Sequence, residues 1–249
     1  MRYLIILFLL IPSLCFASAE YDQVDDFFSA SDSATLDIDD DTMSFSVWVK
    51  ATNDQDGQSA GVVFGKMAAT DDDAYRLIYN PGTPEYRFRL DTVNGSVNAD
   101  TSGVTFSANT WHHVCGRYDG SNMYLYFDNV QHDNPAQTGN VTTNNEALEI
   151  GREVGGTTFW EGQINELYIS DADIGVSGCS AMYSEKIKRN GVQLAECVAY
   201  YAFDNGQSET SADGDTEIDL CGNGNTATGD DGGNNTGLTW KAEELLSYP

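Results

Sequence analysis

Short apolar runs rich in Val, Ile, Tyr, Phe and Trp alternate along this chain with Gly, Asn and Asp punctuation, a pattern that predicts β-strands joined by tight turns. In Phe45-Ser46-Val47-Trp48-Val49-Lys50 the period-two spacing puts Phe45, Val47 and Val49 on one face and Trp48 on the other, so a strand covered on both sides is expected. Val62-Val63-Phe64-Gly65 reads as the next strand. Residues 75–79 and 86–90 read as a hairpin, because Asn80-Pro81-Gly82-Thr83-Pro84 between them is turn chemistry. Tyr86, Phe88 and Leu90 alternate with Arg87 and Arg89, giving that strand one apolar and one cationic face. A second hairpin joins 111–118 to 123–127 around Asp119-Gly120-Ser121-Asn122. Leu148-Glu149-Ile150-Gly151 and the run 159–169 follow. The predicted helix covers 177–190, with Ser177 or Ser180 as N-cap and Gly191 just past its end. Val198-Ala199-Tyr200-Tyr201-Ala202-Phe203 returns to strand, 207–237 is polar, and Leu238-Thr239-Trp240 carries a tryptophan expected to dock on the body. About a dozen short strands and one short helix in the C-terminal half predict an all-β fold of two packed antiparallel sheets.

The first residues depart from this pattern. Arg2, the apolar run 4–11 and the small-residue site Ala17-Ser18-Ala19 have the form of a secretory signal peptide over 1–19, with cleavage expected before Glu20. The run meets Pro12 too soon to span a bilayer, so no membrane insertion is expected. A secreted, periplasmic or extracellular location follows, and it lets cysteines pair. Cys115, Cys179, Cys197 and Cys221 lie beyond the leader and allow three connectivities. Cys179 and Cys197 bracket the predicted helix and its return and are the favoured pair; Cys115, inside a strand-like run, suits a buried free thiol as well as a bridge.

Charge narrows the partners. The 249 residues carry 39 acidic against 12 basic side chains, a net −27, and no concentrated basic patch, which excludes nucleic acid as a partner.

The order of motifs resembles the laminin-G-like, concanavalin-A-like jelly roll. The resemblance rests on residues 45–50, then Trp111-His112-His113-Val114, Tyr118-Asp119-Gly120-Ser121, Leu125-Tyr126-Phe127-Asp128-Asn129, Ile150-Gly151-Arg152 and Gly162-Gln163-Ile164-Asn165-Glu166-Leu167-Tyr168-Ile169. It spans about 20–173. Residues 198–203 with Gly222-Asn223-Gly224-Asn225 also resemble the family, where such a segment often opens the domain; here it comes last. The segment 196–249 is expected to complete the same sandwich, the alternative being the truncated start of a second repeat. The resemblance implies two curved sheets, often a calcium ion, and binding of glycans or proteins outside the cell. It does not fix a ligand, since the fold also hosts glycosidases.

Catalysis finds little support in the residues. Glu217-Ile218-Asp219-Leu220 begins like the carboxylate motif of the family's glucanases, but Cys221-Gly222-Asn223 follows and no second glutamate appears. Glu161 and Glu166 fall on opposite strand faces, as do His112 and His113. For calcium, the oxygen-rich stretches are 71–73, 37–41, Asp128 with Asn129, and Asp219 with Asn223 and Asn225, with Asp128, Asp219 and Asn223 the first candidates. For a glycan, Tyr75, Tyr79, Tyr86, Arg87, Arg89 and Trp160 are the candidate contacts, aromatics to stack on sugar faces and arginines to bond hydroxyls. The expected function is a non-catalytic module recognising an extracellular carbohydrate; an adhesive domain contacting cell-surface or matrix proteins is the alternative, and a glycoside hydrolase the less favoured one.

Overall fold

A computed structural model describes residues 16–52, 61–67, 74–80, 83, 85–156, 158–185, 196–203, 211–233 and 237–243. Its strands, in chain order, are β1 (Phe16–Asp22), β2 (Phe27–Ala30), β3 (Met43–Ala51), β4 (Gly61–Lys66), β5 (Tyr75–Asn80), β6 (Glu85–Thr92), β7 (Gly95–Asp100) and β8 (His112–Tyr118). There follow β9 (Met123–Phe127), β10 (Val130–Asp133), β11 (Leu148–Ile150), β12 (Glu161–Ser170), helix α1 (Gly175–Glu185), β13 (Cys197–Tyr201), β14 (Thr216–Glu217), β15 (Ala227–Asp230) and β16 (Thr239–Glu243). They form two eight-stranded antiparallel sheets. Sheet A runs β10-β9-β8-β3-β12-β1-β16, with β13 also on β12, and sheet B runs β14-β15-β2-β11-β4-β5-β6-β7. This is the two-sheet jelly roll that the alternating pattern predicts.

Alternation assigns the faces. Phe45, Val47 and Val49 of β3 point inward, and the Phe45 ring meets Phe64 and Phe88 of sheet B at 5.1 and 4.9 Å. Trp48 points the other way and is nonetheless only 2% exposed, because Tyr183 of α1 stacks on it. β12 serves two neighbours on one edge. Residues 161–164 pair with β1 and 167–170 with β13, the switch falling where Glu166 takes a φ of 53° and the register with β3 shifts. The C-terminal segment enters both sheets: β13 and β16 join sheet A, while β14 and β15 extend sheet B from β2. Trp240 is fully buried, 5.8 Å from the Phe28 ring, and donates through Nε1 to Asp215.

Two expectations change. The helix starts at Gly175 rather than 177, and Asp173, not a serine, caps it, its Oδ1 accepting the Gly175 N–H at 2.9 Å; residues 186–195 lie outside the described set. The disulfides are Cys115–Cys179 and Cys197–Cys221, with Cα separations of 5.8 and 5.7 Å, not Cys179–Cys197. The reason is spatial: α1 lies across the outer face of sheet A, which sets Cys179 against Cys115 on β8, whereas Cys197 opens β13 beside the 219–225 loop. The expected cleavage site Ala17-Ser18-Ala19 lies within β1, where Ser18 and Ala19 are buried and register with Lys241 and Trp240. Cleavage before Glu20 would keep Glu20–Asp22 on β12 and remove the pairs from Phe16 to Ala19 on β16.

Candidate functional site

Tyr75, Tyr79, Tyr86 and Trp160, the aromatics expected to meet a sugar, are core residues, none more than 5% exposed. Tyr79 and Tyr86 sit 5.3 Å apart, with Phe106 and Trp160 around them, and the Tyr75 hydroxyl donates to Leu36 O. The alternation of Tyr86, Phe88 and Leu90 with Arg87 and Arg89 marks the two faces of β6, and the apolar one turns into the sandwich, so no ring of this set presents a surface to a ligand.

The arginines have the opposite fate. Across the outer face of sheet B, register places in one rank Thr216, Thr228, Ser29, Glu149, Gly65, Arg76, Arg89 and Asn98. In the adjoining rank Arg87 lies opposite Asp100. Arg87 donates through Nε to Asp100 at 2.7 Å and through Nη2 to Glu85 at 2.6 Å; the Asp100 bond raises its already high pKa further, so the charge is fixed. Arg89 bonds both oxygens of Asp91, at 3.0 and 3.3 Å. Farther along the sheet Arg152 donates to Glu149 at 2.7 Å while its guanidinium lies 3.3 Å over the Phe27 ring. Gly65 keeps the centre of the rank shallow, since a Cβ there would stand 2.7 Å from Arg76 Cβ. These are planar donors held by carboxylates, with Asn98, Ser96 and Thr228 exposed beside them. α1 covers sheet A instead, so among the described residues no helix lies on this face.

The calcium candidates turn out to be turn organisers. Asp219 accepts N–H groups of Tyr200 and Cys221 on Oδ1 and of Asn223 and Asn225 on Oδ2, four bonds that fill a carboxylate. Asn223 spends its amide on Cys197 O and Val198 O, at 2.7 and 3.0 Å. Asp128 accepts from His112 Nδ1 at 2.7 Å and from the His113 N–H at 2.9 Å. Asp128 and Asn129, with φ of 47° and 65°, make the two-residue turn from β9 to β10. Of the other stretches, 71–73 lies outside the described residues. Asp37, Asp39 and Asp40 line an open depression of about 320 Å³ with Asp171 and Asn223. Part of that charge is already matched: Lys66, fully buried, pairs with Asp37 at 3.1 Å and Asp32 at 2.6 Å.

Two acidic groups that the sequence reading passed over do converge. In Asp22, Asp25 and Asp26, and again in Asp213, Asp230 and Asp231, carboxylate oxygens lie within 4.8 Å of one another. Asp26 and Asp231 are fully buried. Burial, reinforced by Asp22 and Asp25, pushes the Asp26 carboxyl up to about 8. The signal was partly visible, as Asp25-Asp26 and Asp230-Asp231 are both Asp-Asp pairs, but nothing local sets segments 200 residues apart beside each other.

The histidines and the other carboxylates behave as structural groups. His112 and His113 point to opposite faces, His112 toward Phe127 and His113 toward Trp48 and Tyr183. Glu217 accepts the Phe203 N–H, and Glu166 accepts the Tyr200 hydroxyl.

A two-sheet jelly roll with one polar open face defines a class. The model of the concanavalin A-like lectin/glucanases superfamily, Laminin_G_3, matches residues 22–175, and the chain belongs to that family. No curated protein matches the sequence. Among solved structures, a candidate carbohydrate-binding protein from Bacteroides ovatus superposes with a TM-score of 0.67 at 11% identity, over 93% of this chain and 61% of that one. A heptameric SAP-like pentraxin from Limulus polyphemus gives 0.51 at 14% identity, over 71% of this chain and 84% of its own. The chain thus spans about three fifths of the length of the first, and both likenesses concern the fold.

Proposed function

We propose that this chain is a secreted, non-catalytic binding module that recognises an extracellular carbohydrate on the outer face of sheet B. The observation that carries the reading is the pair of adjoining ranks on the open face, in which Arg89 is fixed by Asp91 and Arg87 by Glu85 and Asp100, with Arg76 beside Arg89. Sugar hydroxyls both donate and accept, so they are matched by carboxylates and guanidiniums already oriented by each other, whose ordering cost is met in folding rather than in binding. Non-catalytic action is supported by Glu217 and Asp219, whose oxygens hold the backbone rather than face a cleft. The printed description of the Bacteroides ovatus protein points the same way. Among the described residues the exposed large apolar side chains, Val24, Val93, Val130, Val176, Ile218 and Leu220, are spread over separate turns and elements, which gives the adhesive alternative no single apolar face there.

Affinity electrophoresis and a glycan array on the purified protein test the reading. Retardation by at least one polysaccharide is expected, and weakened retardation in Arg87→Ala and Arg89→Ala proteins that keep the wild-type circular dichroism. Uniformly negative arrays, or binding that both variants retain in full, would overturn it.

A further inference from the structure

An arginine that recognises an anionic group does so through its fork, two parallel N–H donors reaching two oxygens. On the outer face of sheet B the forks are taken from within. Arg89 gives Nε and Nη2 to the two oxygens of Asp91, at 3.0 and 3.3 Å, and Nη2 also reaches Ser96 Oγ at 3.4 Å. Arg87 gives Nε to Asp100 at 2.7 Å and Nη2 to Glu85 at 2.6 Å. Arg152 gives Nε to Glu149 at 2.7 Å while its guanidinium plane covers Phe27. We infer, resting on the sheet B reading above, that the ligand of this face is an uncharged polysaccharide and that the same pairing makes the face refuse uronates and sulfate esters.

The charges support the same selectivity. Arg76, Arg87, Arg89 and Arg152 stand among Glu85, Asp91, Asp100 and Glu149, so guanidinium and carboxylate cancel across the face. Those four arginines are a third of the 12 basic side chains in a chain of net −27, which leaves the excess of negative charge elsewhere on the molecule. A polyanion therefore gains no net attraction on the face and is repelled from beyond it. Closer in, a sugar carboxylate or sulfate set beside Asp91 or Asp100 would place like charge against like, and the fork that could offset this is already spent. A hydroxyl meets neither cost. It accepts from a guanidinium N–H and donates to a carboxylate lone pair, and each carboxylate has more acceptor sites than one arginine fills. The network is closed by neutral groups of the same kind, since Ser29 Oγ donates to Glu149 at 3.2 Å and Ser102 Oγ to Glu85 at 3.1 Å.

Affinity electrophoresis in gels holding one polysaccharide at a time tests the selectivity. The uncharged set is β-glucan, galactomannan and dextran, and the acidic set is polygalacturonate, alginate and dextran sulfate. The wild type is expected to be retarded by members of the first set alone, with retardation changing less than about twofold between low and high salt. Asp91→Ala releases the Arg89 fork and is expected to gain affinity for dextran sulfate about tenfold or more over wild type. Asp100→Ala, which releases Nε of Arg87, supplies the same comparison should Asp91→Ala fail to fold. Retardation of the wild type by an acidic polysaccharide, abolished in Arg87→Ala, would overturn the selectivity while leaving sheet B as the ligand face. Folded Asp91→Ala and Asp100→Ala proteins with no gain for dextran sulfate would overturn it as well. Failure of both sets and of the glycan array to bind would instead remove the sheet B reading, and the selectivity with it.

Discussion

Mild acid is expected to destabilise this protein through one imidazole. His113 is fully buried under α1, its Nε2 2.8 Å from Ser46 Oγ and its Nδ1 without a partner. Burial drags its pKa down to about 3, against a weaker opposing pull from Asp128. The unfolded chain takes up the proton near 6.5. Between those values the unfolded state binds a proton that the native state refuses, so stability is complete above about pH 6.5 and falls as the pH drops. The loss approaches about 1.4 kcal/mol per pH unit, or about 2 kcal/mol from pH 7 to pH 5, some 4–8 °C in melting temperature for a domain of this size. Urea unfolding at pH 7, 6 and 5 of the wild type and His113→Gln, whose amide can still meet Ser46, isolates the effect because all other titrations cancel in the difference. The wild type is expected to lose about 1–2 kcal/mol more than the variant between pH 7 and 5. Parallel pH dependence in the two proteins would refute the assignment.

Other consequences are as direct. The Cys115–Cys179 bridge closes a 64-residue separation and Cys197–Cys221 one of 24, so their removal as serine pairs is expected to cost about 4 and about 3 kcal/mol, read by urea unfolding, with the larger loss at the longer loop. Lys66→Ala and Lys66→Met both leave Asp32 and Asp37 without their cation and are expected to cost about 3–5 kcal/mol by the same measurement, Met somewhat less because it restores packing; a Lys66→Met protein as stable as wild type would contradict the buried ion-pair account. Intact-mass analysis of protein exported from a bacterial host is expected to give Glu20 as the first residue, and a mass retaining residues 16–19 would contradict the leader.

Legibility followed sequence distance. The β8–β9 hairpin could be read because its turn is local: Asp119 Oδ1 accepts the Ser121 and Asn122 N–H groups and Gly120 takes a φ of 84°. The inward face of β3 could be read from alternation alone. What escaped depends on contacts between distant segments. Trp48 looked like a second buried face, but only α1 explains its cover, and the same helix decides the partner of Cys115. Asp219 looked like a metal ligand because carboxylates near Asn and Gly suit both a cation and a tight turn, and the four backbone N–H groups that claim it are visible only in three dimensions. Tyr75 and Tyr86 show the remaining ambiguity: alternation put them on the apolar, inward face, but an aromatic ring suits both a core and a sugar-stacking surface, and only the packing shows that these rings are covered.

The central claim, that sheet B presents the ligand face, is tested most directly by NMR of the arginine side chains. With a polysaccharide that retards the protein, the Nε–H resonances of Arg76, Arg87 and Arg89 are expected to shift and saturate together, while that of Arg117, paired with Asp173 on the opposite sheet at 2.9 Å, stays in place. Shifts at Arg117 with the sheet B arginines unmoved would contradict the account.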